Sequence, residues 1–338
     1  MKEALFYEKL EGGKVKCGLC RFRCLIAVGR RGLCGVRENR DGVLYSLVYG
    51  ISVAEQVDPI EKKPLFHFLP GSRSYSFATM GCNFRCRHCQ NFSISQPPRE
   101  NGRILGSRLL PDEIVARALA ADCRSISYTY TEPTIFFEYA YDTAVLAHRA
   151  GLKNVFVTNG YMTEEALSFL HPFLDAANID LKGFTDSFYR DIVGGAELGE
   201  VLASIRLHQR LGIWLEITTL IIPGLNDSDE ELTAIARFIA DEIGSDTPWH
   251  VSRFYPTYRM TDRPGTPIET LRRARQIGIA AGLRHVYEGN VPGAGGENTW
   301  CPGCSALLVS RCGFRIEEIS VRNGKCPSCG SVVAGVWE

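Results

Sequence analysis

Thiols are the residues of this chain whose number and spacing most readily do chemistry. Of its thirteen cysteines, twelve fall in three tight groups. Cys82, Cys86 and Cys89 follow a C-x3-C-x2-C spacing, three thiolates from one loop. An iron–sulfur cube takes four ligands, so three cysteines leave one iron open. An open coordination position separates a reactive metal centre from a sealed structural one. A molecule that chelates through an amine and a carboxylate, as methionine does, can fill it. The competing reading is a zinc loop whose fourth ligand is His88 or a remote cysteine. Cys301-Pro302-Gly303-Cys304 and Cys326-Pro327-Ser328-Cys329, with twenty-one residues between them, read as a structural zinc ribbon. Rubredoxin-like iron is the alternative there, and Cys312 is a spare ligand. Cys17, Cys20, Cys24 and Cys34 offer four thiolates within eighteen residues. They suit structural zinc or a second iron–sulfur cluster, and spacing does not decide between the two. Cys123 stands alone beside an apolar helix face and reads as a small buried hydrophobe.

The elements that must position these groups alternate in period. Runs rich in β-branched and aromatic residues predict strands at Tyr75–Met80, Ser125–Thr131, Asn154–Thr158, Ala177–Leu181, Trp214–Ile222 and His250–Tyr255, with a short seventh at His285–Glu288. Helical patterns intervene at Pro111–Asp122, Thr134–Ala150, Glu164–Leu174, Leu198–Leu211, Asp229–Ile243 and Pro267–Ala281. Pro111 suits a first helical turn, and Ser228 with Glu231 fits a capping box. Such alternation predicts an α/β fold with a parallel sheet. Polar residues fall after four successive strands: Gly81–Cys89, Glu132, Asn159, then Asp180 and Lys182. That placement favours a partial (β/α)6 TIM-type barrel, whose chemistry sits at the carboxyl ends of its strands, over a single crevice. Residues 73–293 would form this core. Residues 1–72 and 294–338 would be small cysteine-rich, metal-binding appendages.

Composition narrows the function. The 338 residues are 45% hydrophobic and 22% charged, with 38 basic and 38 acidic side chains. That neutral balance gives no electrostatic reason to expect nucleic acid or an anionic membrane as partner. No apolar run approaches the ~20 residues that span a bilayer. The first residues carry charges where a signal peptide would place its apolar stretch, so a cytoplasmic protein is expected. Thiols at such close spacing in a cytosolic chain hold metal more often than they form disulfides.

The stretch Met80–Asn91 resembles the signature of the radical S-adenosylmethionine (SAM) superfamily, C-x3-C-x2-C after the first barrel strand. The resemblance implies that Cys82, Cys86 and Cys89 ligate a [4Fe-4S] cluster completed by SAM. It further implies reductive cleavage of SAM to a 5′-deoxyadenosyl radical, with electrons from an external low-potential donor. Phe84 and His88 flank the cysteines, His88 where the family has an aromatic residue near the adenine. Thr129-Tyr130-Thr131-Glu132-Pro133 occupies the place of the family's Gly-Gly-Glu-Pro segment, without its glycines. There Glu132 and the Thr131 carbonyl would accept the SAM amino group. Asn159, in Thr158-Asn159-Gly160, would reach the ribose or methionine, and Lys182 the methionyl carboxylate.

Ile179-Asp180-Leu181-Lys182 and Ile222–Asp227 look like segments of the glycyl-radical-enzyme activases, which include pyruvate formate-lyase activase. Where those carry a histidine after the sixth strand, this chain has Phe254–Tyr258, and His250 reads as structural. The wider match is to the AmmeMemoRadiSam system radical SAM enzymes. It rests on the N-terminal cysteine segment, Asp58–Leu65, Tyr128–Thr134 and Asn290-Val291-Pro292-Gly293. It implies an oxidoreductase-type enzyme abstracting hydrogen from a protein or peptide, with Memo-like and AMMECR1-like proteins as candidate partners. A small-molecule substrate is the alternative within that class. An iron–sulfur electron carrier or scaffold is the alternative outside it.

Overall fold

The computed structural model describes residues 1–291, 293 and 295–338, so Pro292 of the Asn290–Gly293 motif lies outside the described residues. Its centre is one eight-stranded sheet. The strands are β1 (Ala54–Pro59), β2 (Arg73–Ala78), β3 (Ser125–Tyr128), β4 (Lys153–Thr158), β5 (Ala176–Asp180), β6 (Trp214–Ile221), β7 (Trp249–Arg253) and β8 (Val286–Gly289). Spatial order equals chain order, and β1 and β8 each have one neighbour in the sheet, so the barrel is open. From β2 to β8 every pairing is parallel. Helices α1 (Pro111–Ala120), α2 (Phe137–Arg149), α3 (Glu164–Leu170), α4 (Leu198–Arg210), α5 (Asp229–Arg237) and α6 (Ile268–Ala280) fill the crossovers. Ser228 Oγ accepts from Glu231 N at 3.2 Å, capping α5 as expected. The parallel strands are therefore those read from the sequence, with the short seventh present.

Two differences have physical causes. β1 pairs antiparallel with β2 and was not foreseen. Its residues, Ala-Glu-Gln-Val-Asp-Pro, are largely polar and end in proline, which suits a solvent-facing edge and hides the apolar period. β3 stops at Tyr128 rather than Thr131 because Tyr130 adopts φ +61°, a left-handed conformation that no strand continues through.

The segment after β1 enters the barrel from below. Ile60, Leu65, Phe68 and Leu69 pack with Val155 and Ala176 at the amino ends of the strands. Asn178 Nδ2 donates to the Pro64 carbonyl at 2.8 Å. The buried Glu216 carboxylate accepts from the backbone N–H groups of Phe66 and His67. His250 lies 2.6 Å from Glu216 on this floor, which fits its structural reading. The C-terminal segment docks here too. Val336 exchanges backbone hydrogen bonds with His67 and Leu69, and the buried Arg311 guanidinium lies 4.3 Å over the Phe66 ring.

The N-terminal segment covers the other side. Val15, Leu19, Ile26, Val36 and Leu44 share one apolar cluster with Phe84, Ile135 and Phe137. A buried Arg37–Glu138 ion pair of 2.8 Å ties it to α2. Among the described residues, no helix is long and apolar enough to cross a membrane.

Candidate active site

The carboxyl ends of β2 to β7 surround a cavity of about 500 Å³, within the usual size of a small-molecule site. Every residue singled out from the core motifs lines it: Cys82, Phe84, Cys86, His88, Cys89, Thr131, Glu132, Asn159, Asp180 and Lys182. Those ten are spread over a hundred positions of sequence, and the barrel's topology is what brings them together.

The cysteine loop leaves β2 through Gly81, at φ +106°. A Cβ there would lie 2.7 Å from Val36 Cγ1 and 3.1 Å from the Cys34 carbonyl oxygen. Glycine thus lets the loop pass directly against the N-terminal segment. The Arg85 and Arg87 backbone N–H groups donate to the carbonyls of Val193 and Ile192 at 2.9 and 3.0 Å, which fixes the far side of the loop. Phe84 is buried edge-on to Tyr161. Burial, and then the nearby Glu132 carboxylate, pushes the Cys82 thiol up. Burial pushes Cys86 up to about 12. Metal binding here accordingly displaces protons from neutral thiols. His88 is buried with Nδ1 unpartnered among the described residues. Burial, helped by Lys182, lowers its imidazole to about 3, so it is neutral at physiological pH.

Thiol spacing separates the metal groups. Cys301 and Cys329 Sγ lie 3.6 Å apart, Cys304 and Cys326 Sγ 3.7 Å. A tetrahedral ion with bonds of about 2.3 Å sets its sulfurs ~3.8 Å apart. Among the described residues, this quartet is the one set of His, Cys, Asp or Glu ligand atoms gathered within 4.8 Å. Cys312 stands outside it. Cys82, Cys86, Cys89 and His88 do not gather so, which disfavours a zinc loop there. Cys17, Cys20, Cys24 and Cys34 line a second, small cavity beside the cysteine loop. Cys123 is buried and lines neither cavity, as its reading as a small hydrophobe requires.

Glu132 organises the wall opposite the thiols. Its Oε1 accepts from Thr134 N, Thr134 Oγ1 and Thr158 Oγ1 at 3.0, 2.6 and 2.7 Å; Oε2 accepts from Asn159 N at 2.8 Å. A carboxylate offers about four acceptor positions, two per oxygen, so Oε2 keeps spare capacity. Burial raises the Glu132 carboxyl, and the Thr134 and Asn159 donors oppose the rise. Asn159 Nδ2 in turn donates to Asn83 Oδ1 at 2.7 Å, joining this wall to the cysteine loop. On the next strand end, Lys182 Nζ lies 2.8 Å from Asp180 Oδ2. Burial works against its charge, but Asp180, joined by Cys86 once that thiol is ionised, outweighs burial and keeps Lys182 protonated. Asn226, in the turn after β6, donates to the Lys182 carbonyl at 2.7 Å.

Lys62, Lys63 and Tyr130 also line the cavity, and none had been given a site role. Tyr130 stands where the family has a glycine and keeps a glycine-like φ of +61°, strain of about 1 kcal/mol or more for a side chain. Its hydroxyl donates to Asp58 Oδ2 at 2.5 Å, and its carbonyl accepts from Asn91 Nδ2 at 2.7 Å. Asp58 also meets Lys62 and the buried Lys63, both at 2.8 Å. Burial raises the Asp58 carboxyl, but these three donors outweigh it and hold it well below the usual carboxylate range. Asp58→Ala strands the Lys63 ammonium, and removing one partner of a buried pair costs about 3 kcal/mol. Chemical denaturation should therefore show a clearly lower midpoint for this variant, whereas Asp191→Ala, at an exposed pair with Arg190, should barely move it.

Comparison with known proteins places these features. The family model described as the Radical SAM superfamily matches residues 77–239. An uncharacterized protein of Methanocaldococcus jannaschii is 50% identical over 336 residues, covering 98% of this chain and 99% of its own. A radical SAM methyltransferase from Sphaerobacter thermophilus superposes with a TM-score of 0.53 at 19% identity, over 66% of this chain and 68% of that one. SuiB of Streptococcus suis, solved bound to S-adenosylmethionine, gives 0.51 at 13% identity, over 68% and 53%. At such identities the two structures are similar in fold alone.

Proposed function

The chain belongs to the radical SAM superfamily, and on that premise we propose that it cleaves SAM reductively and abstracts hydrogen from a protein or peptide. The observation that carries this reading is the cavity itself. Three thiols from one loop share it with the Glu132–Asn159 wall and the Asp180–Lys182 pair, and among the described residues no fourth thiol lines it. With a [4Fe-4S] cluster on Cys82, Cys86 and Cys89 and SAM on the open iron, the site would supply a 5′-deoxyadenosyl radical.

The chain's own residues would bind and orient. Glu132 Oε2 has acceptor capacity for an ammonium, with the Thr131 carbonyl as second acceptor. Lys182, kept charged by Asp180, suits a carboxylate. Asn159, held by Glu132 and Asn83, is fixed for a ribose or methionyl contact. Phe84 and neutral His88 offer apolar surface to the adenine. A barrel floor closed by Pro64–Leu69 keeps water out from below. The Asp180-Leu181-Lys182 and Ile222–Asp227 segments, alike in the glycyl-radical activases, support a backbone glycine as hydrogen source.

The Asp58–Leu65 and Tyr128–Thr134 segments support the AmmeMemoRadiSam subgroup, with Memo-like and AMMECR1-like proteins as partners. The 3.6 and 3.7 Å spacings support zinc at Cys301, Cys304, Cys326 and Cys329. Electron paramagnetic resonance of the reduced protein tests the site. Adding SAM should change the cluster's signal, since SAM would occupy the open iron. A signal indifferent to saturating SAM would contradict the proposed coordination.

A further inference from the structure

Cys17, Cys20, Cys24 and Cys34 face one another around a cavity of about 20 Å³, otherwise lined mostly by apolar side chains such as Leu19, Ile26 and Ile135. Four sulfurs drawn onto one zinc ion leave a hole far smaller than a water molecule, as the C-terminal quartet's spacing implies. The N-terminal four stand apart and leave room for a water-sized sphere. Unlike the C-terminal quartet, they are not gathered to within 4.8 Å of one another, which departs from the spacing of a single tetrahedral ion.

Two further side chains on the cavity wall say what charge it carries. Arg37 is 2% exposed, and its Nε and Nη1 have no hydrogen-bond partner among the described residues. Only Nη2 is used, by Glu138 and the Leu5 carbonyl. Asn83 is also 2% exposed, and its Nδ2 is unpartnered in the same way. Buried N–H donors without acceptors lose their water partners and gain nothing in return, so a native structure satisfies them. The sulfur acceptors of an anionic thiolate–metal group in this cavity would satisfy both.

The cavity is also next to the central cysteine loop. Arg99 donates to the carbonyls of Leu33, Cys82 and Asn83, at 2.5, 3.0 and 3.3 Å, bridging the two cysteine groups with one side chain. Gly81 packs on the Cys34 carbonyl. Asn83 lines the N-terminal cavity, and its Oδ1 accepts from Asn159 Nδ2 in the central cavity. Cys17 and Cys34 are buried, whereas Cys20 and Cys24 are partly exposed, so one edge of the group approaches solvent.

We propose that Cys17, Cys20, Cys24 and Cys34 hold a second iron–sulfur cluster that passes single electrons from an external low-potential protein donor to the central cluster. Each transfer oxidises the reduced donor by one electron and reduces the central cluster by one, leaving the relay unchanged. The relay role rests on the proposed SAM chemistry; the cluster's identity does not.

The test counts iron, acid-labile sulfide and zinc in anaerobically isolated full-length protein, for the wild type and a Cys17→Ser/Cys20→Ser variant. If both clusters are of the four-iron type, the variant loses about half of the iron and sulfide. It keeps its zinc and its SAM-responsive resonance signal. SAM cleavage driven by dithionite persists in the variant, while cleavage driven by reduced flavodoxin is lost. A second zinc equivalent in the wild type, with iron for the central cluster alone, overturns the cluster, and this count needs no variant to fold. Flavodoxin-driven cleavage unchanged in the variant overturns the relay.

Discussion

Replacing Cys86 with alanine is expected to remove the central iron and abolish 5′-deoxyadenosine release, while leaving the fold intact. Cys86 sits in the middle of a loop pinned by backbone bonds to Ile192 and Val193 and by Phe84, none of which involves its thiol. Stability should therefore change little. A cluster that already has an open iron cannot be held by two thiolates from one loop, and among the described residues no other cysteine lines the cavity to take the place. Cys123→Ala is the matched control: it removes a buried thiol outside both cavities and should leave iron and activity as they were. Iron analysis and product release on the two variants, side by side, check this. Retained central iron in Cys86→Ala would contradict the ligand assignment.

The second large effect concerns the other end of the chain. Among its described residues, the C-terminal segment buries only Cys301, Leu308, Val309, Cys326 and Val333 as its own apolar cluster. So few side chains cannot offset the entropy of ordering some forty residues. A structural zinc ion supplies on the order of 10 kcal/mol in such sites. Cys304→Ser, or chelation, should consequently unfold this segment alone. Hydrogen exchange is expected to accelerate across Leu307–Cys312 and Arg315–Ile319, the two main strands of its sheet. The segment docks on the barrel floor, at the end opposite the cavity, so the central cluster's signal should survive. Undiminished protection in those strands after metal loss would show that the ion is dispensable.

Much of the architecture was legible because period carries it. Six crossovers of alternating strand and helix, with polar residues after consecutive strands, led to a parallel barrel, and the resemblance to the radical SAM signature completed a set of ten residues that all line its mouth. What escaped depends on long-range placement. β1 has an edge strand's polar composition, so no apolar run announced it. Lys62 and Lys63 look like surface charges in sequence; they enter the cavity only because Pro64–Leu69 is threaded under the barrel. The Glu132 turn lacks the glycines of the segment it resembles, yet Tyr130 adopts a left-handed dihedral, held by Asp58 and Asn91. Spacing alone left the N-terminal cysteines open to either metal. The unpartnered donors of Arg37 and Asn83 come together only once the N-terminal segment packs against the cysteine loop and α2.

The central claim is tested most directly by incubating reduced, anaerobically reconstituted wild-type protein with SAM and following 5′-deoxyadenosine and methionine. The account predicts that both appear in equal amounts and that neither appears with Cys86→Ala. A protein that binds neither an iron–sulfur cluster nor SAM, and releases neither product, would contradict it.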